Sequence, residues 1–259
     1  IFDTETTGLP KRWDAPISDT NNWPRVVQLA WQLHDDNGVL ISNKSYLIKP
    51  TDFDIPFESE KVHGISTMLA FQYGMDIQTV LDKFLKDLKS CEYIVGHNLK
   101  FDINVVASEL FRLDIENQLL NKVVLDTCTE NTANVCKLPG GKSGKFKFPT
   151  LVELYENLFK NKFENAHNAS ADVEANAMVF FELIRQKLFD PSLIQDFENF
   201  HTKVSGTFSN KVSTFGINHI NLKAESKKLK EQNQTEKLNT DDLVNNNSNS
   251  DYVHLHNNS

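Results

Sequence analysis

The sequence predicts an α/β fold in which helices flank a central sheet. Short runs of β-branched and aromatic residues, typical of strands, alternate with longer segments whose apolar residues recur at the helical spacing. Two of the strands are joined by the hairpin turn Asp35-Asp36-Asn37-Gly38, so the first three strands should form an antiparallel meander. The first predicted strand begins at Ile1 and is stopped by the turn Thr6-Thr7-Gly8, and the other predicted strands are 25–34, 39–49, 93–95 and 123–126. The predicted helices are 77–88, 99–113, 127–136, 150–159 and 173–186.

Length and composition restrict the class of protein. With 259 residues, of which 39% are hydrophobic, the chain can bury one sizeable core with a small appendage. Its formal net charge is −8, so it lacks the overall basic character of proteins that bind nucleic acid passively. An enzyme is less restricted by this charge, because bound metal ions can make its active site locally electropositive.

The cysteines and the apolar segments indicate where the protein works. Cys91, Cys128 and Cys136 are odd in number and lack metal-type spacing, which is typical of reduced thiols in a cytosolic protein. No apolar run is long enough to span a membrane, and no signal peptide precedes the first motif. We therefore expect a cytoplasmic protein with no membrane partner. Because the chain begins at Ile1, inside a predicted strand, we also expect a few residues to precede it.

Two acidic residues lie at the end of the first predicted strand. Asp3 and Glu5 are two positions apart, so on a strand their side chains leave the same face, before Thr6-Thr7-Gly8 forms a turn. Two carboxylates this close repel each other unless a cation neutralises them, and Mg²⁺ prefers such oxygen ligands. Taken alone, the pair is better explained as solvated charges at the end of a strand.

A third acidic residue lies after another predicted strand. Gly96-His97-Asn98 is the turn that leaves strand 93–95, and Asp102 is in the first turn of the following helix. A carboxylate there is favoured by the helix N-terminus, and sites in α/β proteins gather at the carboxyl ends of strands. Asp102 alone would be an ordinary charged residue in the first turn of a helix. It indicates a site because it is the third acid that lies at the end of a strand.

The start of the last long helix carries a histidine and a further acid. Asn168 or Ser170 is the predicted N-cap, which places Asp172 in the first turn and His167 in the loop before it. From that loop, His167 can reach the same place as Asp172. An imidazole titrates near neutral pH, so His167 is a candidate general base that would activate a water molecule.

Together these motifs resemble those of the DEDDh family of 3′→5′ exonucleases, to which the proofreading epsilon subunit of bacterial DNA polymerase III belongs. The motifs are Asp3-x-Glu5, Gly96-His97-Asn98 with Phe101-Asp102, and His167 with Asp172. Each is weak alone, but the set is specific and follows the order of the family. The resemblance implies an exonuclease domain over residues 1–188 with a ribonuclease H-like fold, in which a mixed central sheet is flanked by helices.

The resemblance also implies a cofactor of two Mg²⁺ or Mn²⁺ ions. Asp3 would bridge the two ions, and Glu5 and Asp172 would complete the site that holds the attacking water. Asp102 would serve the other ion, partly through water, and His167 would take the proton from the attacking water. The implied reaction is hydrolysis of the terminal phosphodiester at a single-stranded or mismatched DNA 3′ end, with release of 5′-nucleotides.

A substrate pocket follows from the same resemblance. Its members would be Thr6, Gly8, Leu9, His63, Asn98 and Phe101. The backbone around Thr6 and Gly8 would approach the terminal nucleotide, and Leu9 would wedge beside the terminal base. His63, Asn98 and Phe101 would line the remaining wall. Apolar and aromatic contacts tolerate any base, as an enzyme without sequence preference requires.

Several alternatives stay open at this stage. The residues do not separate DNA from RNA, because RNase T and oligoribonuclease, which are related, carry the same acids. A free-standing RNA or oligonucleotide exonuclease is therefore the second hypothesis, and a catalytically silent docking module is the third. Lys142, Lys145 and Lys147, in the glycine-rich segment 139–149, either steer phosphates or belong to an exposed loop.

The C-terminal part of the chain predicts a connection to a polymerase. Residues 189–222 read as a helical or irregular extension, and residues 223–250 as a disordered polar linker, because they are almost without apolar residues. Residues 251–259, with His254 and His256, resemble the opening strand of the PHP domain of the catalytic alpha subunit of DNA polymerase III, although a further histidine is missing. We therefore expect a replicative polymerase as partner, most simply in the same polypeptide.

Overall fold

The computed structural model describes residues 1–163 and 167–235 and confirms the predicted α/β class. The strands are β1 (Phe2–Thr6), β2 (Val26–His34), β3 (Leu40–Leu47), β4 (Tyr93–Gly96) and β5 (Val123–Asp126). The α-helices are α1 (Phe57–His63), α2 (Thr67–Tyr73), α3 (Ile77–Leu88), α4 (Lys100–Arg112), α5 (Glu130–Cys136), α6 (Leu151–Phe159), α7 (Ala169–Arg185) and α8 (Phe197–Thr207). A further helical segment, here called the C-terminal helix, covers residues 222–235. In these described ranges, no helix is long and apolar enough to cross a membrane.

The sheet combines antiparallel and parallel strands. β1, β2 and β3 form the predicted antiparallel meander, in the order β1-β2-β3. β4 and β5 form a parallel ladder, and β1 contacts β4, so the two ladders lie side by side. The sheet is therefore mixed, as the resemblance implied. β1, which carries Asp3 and Glu5, is a neighbour of β4, which precedes Asp102.

β1 continues through both acidic residues and ends at Thr6, where the sequence predicted the turn that stops the strand. It pairs with β2 over its whole length. Side chains alternate along it, so that Phe2, Thr4 and Thr6 are buried on one face, while Asp3 and Glu5 are half-buried on the other. The two carboxylates thus share one face, as their spacing predicted.

Two large apolar clusters hold the helices against the sheet. The first, between β1, β2, α3 and α4, includes Phe2, Leu29, Trp31, Phe84 and Leu110. The second, between β5, α6, α7 and α8, includes Leu125, Leu154, Phe180, Phe181 and Phe197. Phe189, Val204 and Val212 are also buried in the second cluster. Residues of the predicted extension 189–222 therefore pack into the same core as α7.

The C-terminal helix packs back onto the domain. Leu222 and Leu229 are buried in a third cluster with residues of β2 and α2, and Ser226 Oγ donates a hydrogen bond to the Gly64 carbonyl at 2.6 Å. The segment 223–250, predicted as a disordered linker, is thus helical over residues 223–235. Residues 236–250 of that linker and the predicted PHP segment 251–259 lie outside the described residues.

We expect that removal of everything after Phe208 destabilises the protein. Leu222 and Leu229 would be lost from the third cluster, and burial of each contributes about 1.5–3 kcal/mol. The melting temperature should fall by at least about 5 °C, because 1 kcal/mol corresponds to about 2–4 °C in a domain of this size. Thermal denaturation measures this, with a chain that ends at Thr235 as the matched control. Equal melting temperatures for the two truncated chains would contradict the described packing.

Candidate active site

Three carboxylates converge where β1 meets the N-terminus of α7. Asp3 and Glu5 lie on β1, and Asp172 lies in the first turn of α7. One carboxylate oxygen from each lies within 4.8 Å of the others, and all three side chains belong to half-buried residues. The convergence follows from the fold, because α7 packs on both β1 and β2. The structure therefore brings the first and the last of the acidic motifs to one place.

Asp102 lies beside this group and is held by β1 itself. It is buried in the first turn of α4, and its Oδ1 accepts hydrogen bonds from Thr4 N at 3.0 Å and Thr4 Oγ1 at 2.6 Å. Its carboxylate is not part of the described three-acid group, although its charge acts on Asp3 and Glu5. The fourth predicted acid is thus adjacent to the group and is oriented by a threonine that the sequence did not single out.

Burial and mutual repulsion raise the pKa values of the acids. Burial, followed by the charges of the neighbouring acids, raises the pKa of Asp3 and of Glu5 well above their usual values. Burial raises the pKa of Asp102 to about 7, although the hydrogen bonds from Thr4 act to lower it. Burial likewise raises the pKa of Asp172 to about 7. Half-buried carboxylates that repel each other form an oxygen donor set that fits a hard divalent cation such as Mg²⁺ or Mn²⁺.

Without metal ions, the stability of the protein should decrease as the pH rises from about 5 to about 8. The native state keeps protons on Asp102 and Asp172 up to a pKa of about 7, whereas the unfolded chain loses them near pH 4. Between these values the native state binds more protons than the unfolded chain, so the free energy of unfolding falls with rising pH. Magnesium ions should abolish this slope because they favour the deprotonated carboxylates. Thermal denaturation in EDTA and in MgCl₂ measures both slopes, and identical slopes would contradict the prediction.

His167 lies in the loop that leads into α7, next to the acid group. Its backbone N–H donates a hydrogen bond to Asp172 Oδ2 at 3.0 Å. Its φ angle of 65° lies in the left-handed region, and the residue is exposed. Asn168 is the N-cap, because its Oδ1 accepts a hydrogen bond from Ser170 N at 3.1 Å. Of the two N-caps considered from the sequence, the structure therefore has Asn168.

Gln28, on β2, fastens the start of α7 to the sheet. Its Nε2 donates to Asn168 Oδ1 at 3.2 Å, and its Oε1 accepts from Ala169 N at 3.1 Å. Gln28 is buried and lies opposite Glu5 in the β1–β2 ladder. Asn168 also donates through Nδ2 to the Ile220 carbonyl at 2.9 Å. The sequence reasoning missed Gln28, and the available signal was a single glutamine within the apolar run Val26–Trp31.

Residues 214–219, in the segment that follows α8, form hydrogen bonds with the first turns of α7. Glu174 Oε1 accepts hydrogen bonds from Thr214 Oγ1 at 2.9 Å and from Phe215 N at 2.7 Å. Glu174 Oε2 accepts from His219 Nε2 at 2.6 Å, and His219 Nδ1 is hydrogen-bonded to Ser170 Oγ at 3.0 Å. The turn that carries Asp172 is therefore fixed on two sides, by β2 and by this C-terminal segment.

Asp126, at the carboxyl end of β5, holds the turn that precedes α4. Its carboxylate accepts hydrogen bonds from Asn98 N at 2.8 Å and Leu99 N at 2.9 Å. Asn98 has a φ angle of 59°, a left-handed conformation that asparagine tolerates, and it is exposed. The side chain of His97 is hydrogen-bonded to Thr127 Oγ1 at 2.9 Å. The sequence reasoning missed Asp126, although it too is an acid at the end of a strand.

Thr6, Gly8 and Leu9 form the turn that follows β1. Thr6 Oγ1 donates a hydrogen bond to the Gly8 carbonyl at 2.7 Å. Gly8 has a φ angle of 146°, which side chains of L-residues rarely adopt, so this turn requires glycine. Leu9 is 73% exposed. A large apolar side chain is thus presented to solvent directly after a fixed turn.

His63 and Phe101 lie at the ends of two helices near β1. His63 is buried at the end of α1, and its Nδ1 accepts a hydrogen bond from Ile65 N at 3.0 Å. Burial lowers the pKa of His63 to about 4. The imidazole lies close to the Thr6 backbone, and its Nε2 has no hydrogen-bond partner among the described residues. Phe101 is half-buried and directly precedes Asp102.

Two of the three lysines in the glycine-rich segment form ion pairs. Lys145 Nζ lies 2.8 Å from Glu130 Oε1, and Lys147 Nζ lies 2.7 Å from Glu153 Oε1. The first pair is exposed and the second is half-exposed, so each contributes little to stability. These contacts favour a local structural role for Lys145 and Lys147 over a role in steering phosphates.

Sequence comparisons place this site in a known family. A sequence profile of the family described as "Exonuclease" matches residues 1–180. The chain is 29% identical over 187 residues to the 3′-5′ exonuclease DinG of Bacillus subtilis. This alignment covers 72% of the chain but only 17% of DinG. It is 28% identical over 191 residues to the DNA polymerase III subunit epsilon of Rickettsia conorii, and this alignment covers 73% of the chain and 75% of epsilon.

Solved structures show the same fold. A structure of exonuclease I aligns with a TM-score of 0.56 at 21% identity, over 78% of this chain and 42% of exonuclease I. Escherichia coli exonuclease I in complex with a dA16 oligonucleotide aligns with a TM-score of 0.54 at 20% identity, over 76% of this chain and 42% of that protein. The family match covers more than half of the chain and agrees with the predicted DEDDh motifs, so the chain belongs to the exonuclease family.

Proposed function

We propose that the protein is a metal-dependent 3′→5′ exonuclease that acts on DNA. The observation that supports this most strongly is the convergence of Asp3, Glu5 and Asp172 within 4.8 Å of one another. Asp102 is buried beside them, and His167 is anchored to Asp172 through its backbone. The relatives named as 3′-5′ exonuclease and as polymerase III epsilon support the direction of cleavage and the choice of DNA.

The acids would hold two divalent cations, Mg²⁺ or Mn²⁺. Asp3, Glu5 and Asp172 have the described convergence, and Asp102 would serve the second ion from its position beside β1. When bound, such ions offset the negative charge that develops on the attacking and the leaving oxygen. The protein itself contributes rigidity: β1 presents two acids on one face, and Thr4 fixes Asp102 with two hydrogen bonds.

His167 would accept the proton of the attacking water. As the proton leaves, the water oxygen bonds to the terminal phosphorus, and the bond from phosphorus to the 3′ oxygen of the preceding nucleotide breaks. The leaving oxygen takes a proton from solvent, and the product is a nucleotide with a 5′ phosphate. The hydrogen bond from His167 N to Asp172 keeps the histidine loop beside the acids. His63 would remain neutral near pH 7, because burial lowers its pKa to about 4.

The terminal nucleotide would lie against the turn after β1 and the start of α4. Thr6 and Gly8 would bring backbone close to it, Leu9 would wedge beside the base, and Asn98 and Phe101, with His63, would complete the wall. The described geometry supports this assignment through the Gly8 turn, whose φ angle requires glycine, and through the exposed Leu9. Such contacts depend on shape and stacking, so we expect little preference for base identity.

Hydrolysis of 5′-labelled single-stranded DNA tests the proposed function. In Mg²⁺ the label should move down a ladder one nucleotide at a time, and EDTA should stop the reaction. A matched RNA strand, assayed in parallel, decides whether the second hypothesis, an RNA exonuclease, describes the protein better. A failure to cleave either strand, by protein that melts cooperatively, would favour the silent docking module instead.

Proofreading predicts faster removal of an unpaired 3′ nucleotide than of a paired one. A mismatched terminus separates from the template at a lower free-energy cost, because less stacking and pairing energy opposes its entry into the site. On a primer–template duplex, the initial rate should be about tenfold higher for a mismatched end, which corresponds to about 1.4 kcal/mol. Single-stranded primer is the control for intrinsic cleavage. Equal rates on matched and mismatched ends would argue against proofreading.

We further propose that the exonuclease works with a bacterial replicative polymerase in the cytoplasm, in the same polypeptide or in a complex. The relatives named polymerase III epsilon support a replicative setting, and the sequence of residues 251–259 supports the fusion. A tethered nuclease would be held near the primer end at an effective concentration of about the millimolar range. The reading frame beyond Ser259 decides the point: continuation into PHP and polymerase sequences supports the fusion, and an immediate stop codon contradicts it.

A further inference from the structure

The loop between β1 and β2 presents an exposed tryptophan. Trp13 is 55% exposed, whereas Trp23 and Trp31, the other two tryptophans of the chain, are each only 3% exposed. Trp23 and Trp31 also donate hydrogen bonds through their indole nitrogens, to the Pro16 carbonyl and to Asp87. A large aromatic side chain left in solvent forgoes the stabilisation that burial would give.

The backbone that carries Trp13 is fixed rather than loosely attached. Asn22, which is buried, clamps the residue before it: its Oδ1 accepts from Arg12 N at 2.7 Å, and its Nδ2 donates to the Arg12 carbonyl at 2.9 Å. Lys11 N also donates to the Asn22 carbonyl at 3.2 Å. Ala15 is buried on the other side of Trp13. The indole is therefore presented from a loop that is anchored before and after it.

The indole packs against the start of α4, next to the candidate active site. The ring centroids of Trp13 and Phe101 lie 5.8 Å apart, with an interplanar angle of 54°. Phe101 directly precedes Asp102, and Leu9, on the same loop as Trp13, is 73% exposed. A pair of aromatic rings thus lies beside Asp102, with Phe101 half-buried and Trp13 exposed.

We infer that Trp13 stacks on a nucleobase of the DNA strand as it enters the site, so that Trp13 and Phe101 together form an aromatic platform. This inference rests on the proposed function. A flat, exposed ring on a fixed loop loses little conformational freedom on binding, and base–aromatic stacking is tolerant of sequence. It would also help a protein with a net charge of −8 to hold a polyanion, because stacking does not depend on surface charge.

Intrinsic fluorescence tests the stacking directly, because Trp13 is the exposed one of the three tryptophans. The probe is oligothymidylate with a free 3′ end, titrated into the Asp3→Asn variant, which should not degrade it. Binding should quench and shift the emission in Asp3→Asn, and the change should be lost when Trp13→Phe is added. Fluorescence anisotropy of a dye on the 5′ end confirms that the double variant still binds. Unchanged quenching in the double variant would overturn the inference.

Kinetics give a second readout in the otherwise wild-type chain. Trp13→Ala should raise KM for single-stranded DNA about fivefold or more, the low end of base–aromatic stacking, with kcat nearly unchanged. Trp13→Phe, which keeps a ring, should restore most of the loss, and both variants should melt like the wild type. A KM unaffected in Trp13→Ala would overturn the inference while leaving the exonuclease intact. If the wild type released no nucleotide, the proposed function would fail, and the fluorescence titration would still decide the role of Trp13.

Discussion

Asp3→Asn should abolish exonuclease activity and, at the same time, make the metal-free protein more stable. Asp3 shares the acid group with Glu5 and Asp172, so loss of its charge should remove a proposed ligand and weaken cation binding. We expect kcat to fall by at least about a hundredfold, since removal of one electrostatic contributor to a transition state costs about 10²–10³. Burial and like charges raise the pKa of Asp3, which means that its ionisation opposes folding. Neutral asparagine removes that cost, so the melting temperature in EDTA near pH 8 should rise.

A matched control for Asp3→Asn is Asp87→Asn. Asp87 is also partly buried, but it is paired: its Oδ2 accepts from Lys44 Nζ at 2.7 Å and from Trp31 Nε1 at 2.8 Å. Asp87→Asn should therefore lower the melting temperature and leave the exonuclease activity in place. Nuclease assays and melting curves in EDTA give both readouts. A fall in stability for Asp3→Asn would contradict the account of a repulsive acid cluster.

His167→Ala should lower kcat by about 10²–10⁴, the usual contribution of a general base, with little change in KM. The acid group remains in this variant, so residual activity should persist and should still require a divalent cation. The acid limb of the pH–rate profile should flatten, because the proposed general base would be absent. Steady-state kinetics across the pH range measure these effects.

His201→Ala provides the control for the loss of a histidine. His201 lies on α8, where its Nε2 is hydrogen-bonded to the Arg185 carbonyl at 3.2 Å, away from the acids. Its replacement should leave the pH–rate profile unchanged. A profile for His167→Ala that kept the wild-type acid limb would remove His167 from the role of base and assign proton transfer to another group.

The parts of the fold that were predictable are those with a local cause. The hairpin between β2 and β3 follows from its Asp-Asp-Asn-Gly turn, and the bounds of α3 follow from helical spacing over Ile77–Leu88. The shared face of Asp3 and Glu5 follows from the two-residue period of a strand. Asn168 could be named as an N-cap candidate because capping depends on residues within one turn.

The parts that were not predictable depend on partners far away in the chain. Gln28 contacts Asn168 across 140 residues, and Thr4 contacts Asp102 across 98, so neither pairing leaves a local pattern. The C-terminal helix was missed for a different reason. Its polar composition is typical of disorder, and only Leu222 and Leu229 supply buried apolar surface, at a spacing of two helical turns. Tertiary packing, rather than composition, therefore decides the structure of this segment.

The central claim is that the acids on β1 and α7 form a divalent-cation site, and titration with Mn²⁺ tests it most directly. Calorimetry or electron paramagnetic resonance of the wild type should show saturable Mn²⁺ binding that competes with Mg²⁺. Binding should be lost or greatly weakened in Asp3→Asn and retained in Asp87→Asn. Equal Mn²⁺ binding by the wild type and Asp3→Asn, or no binding by the wild type, would contradict the account.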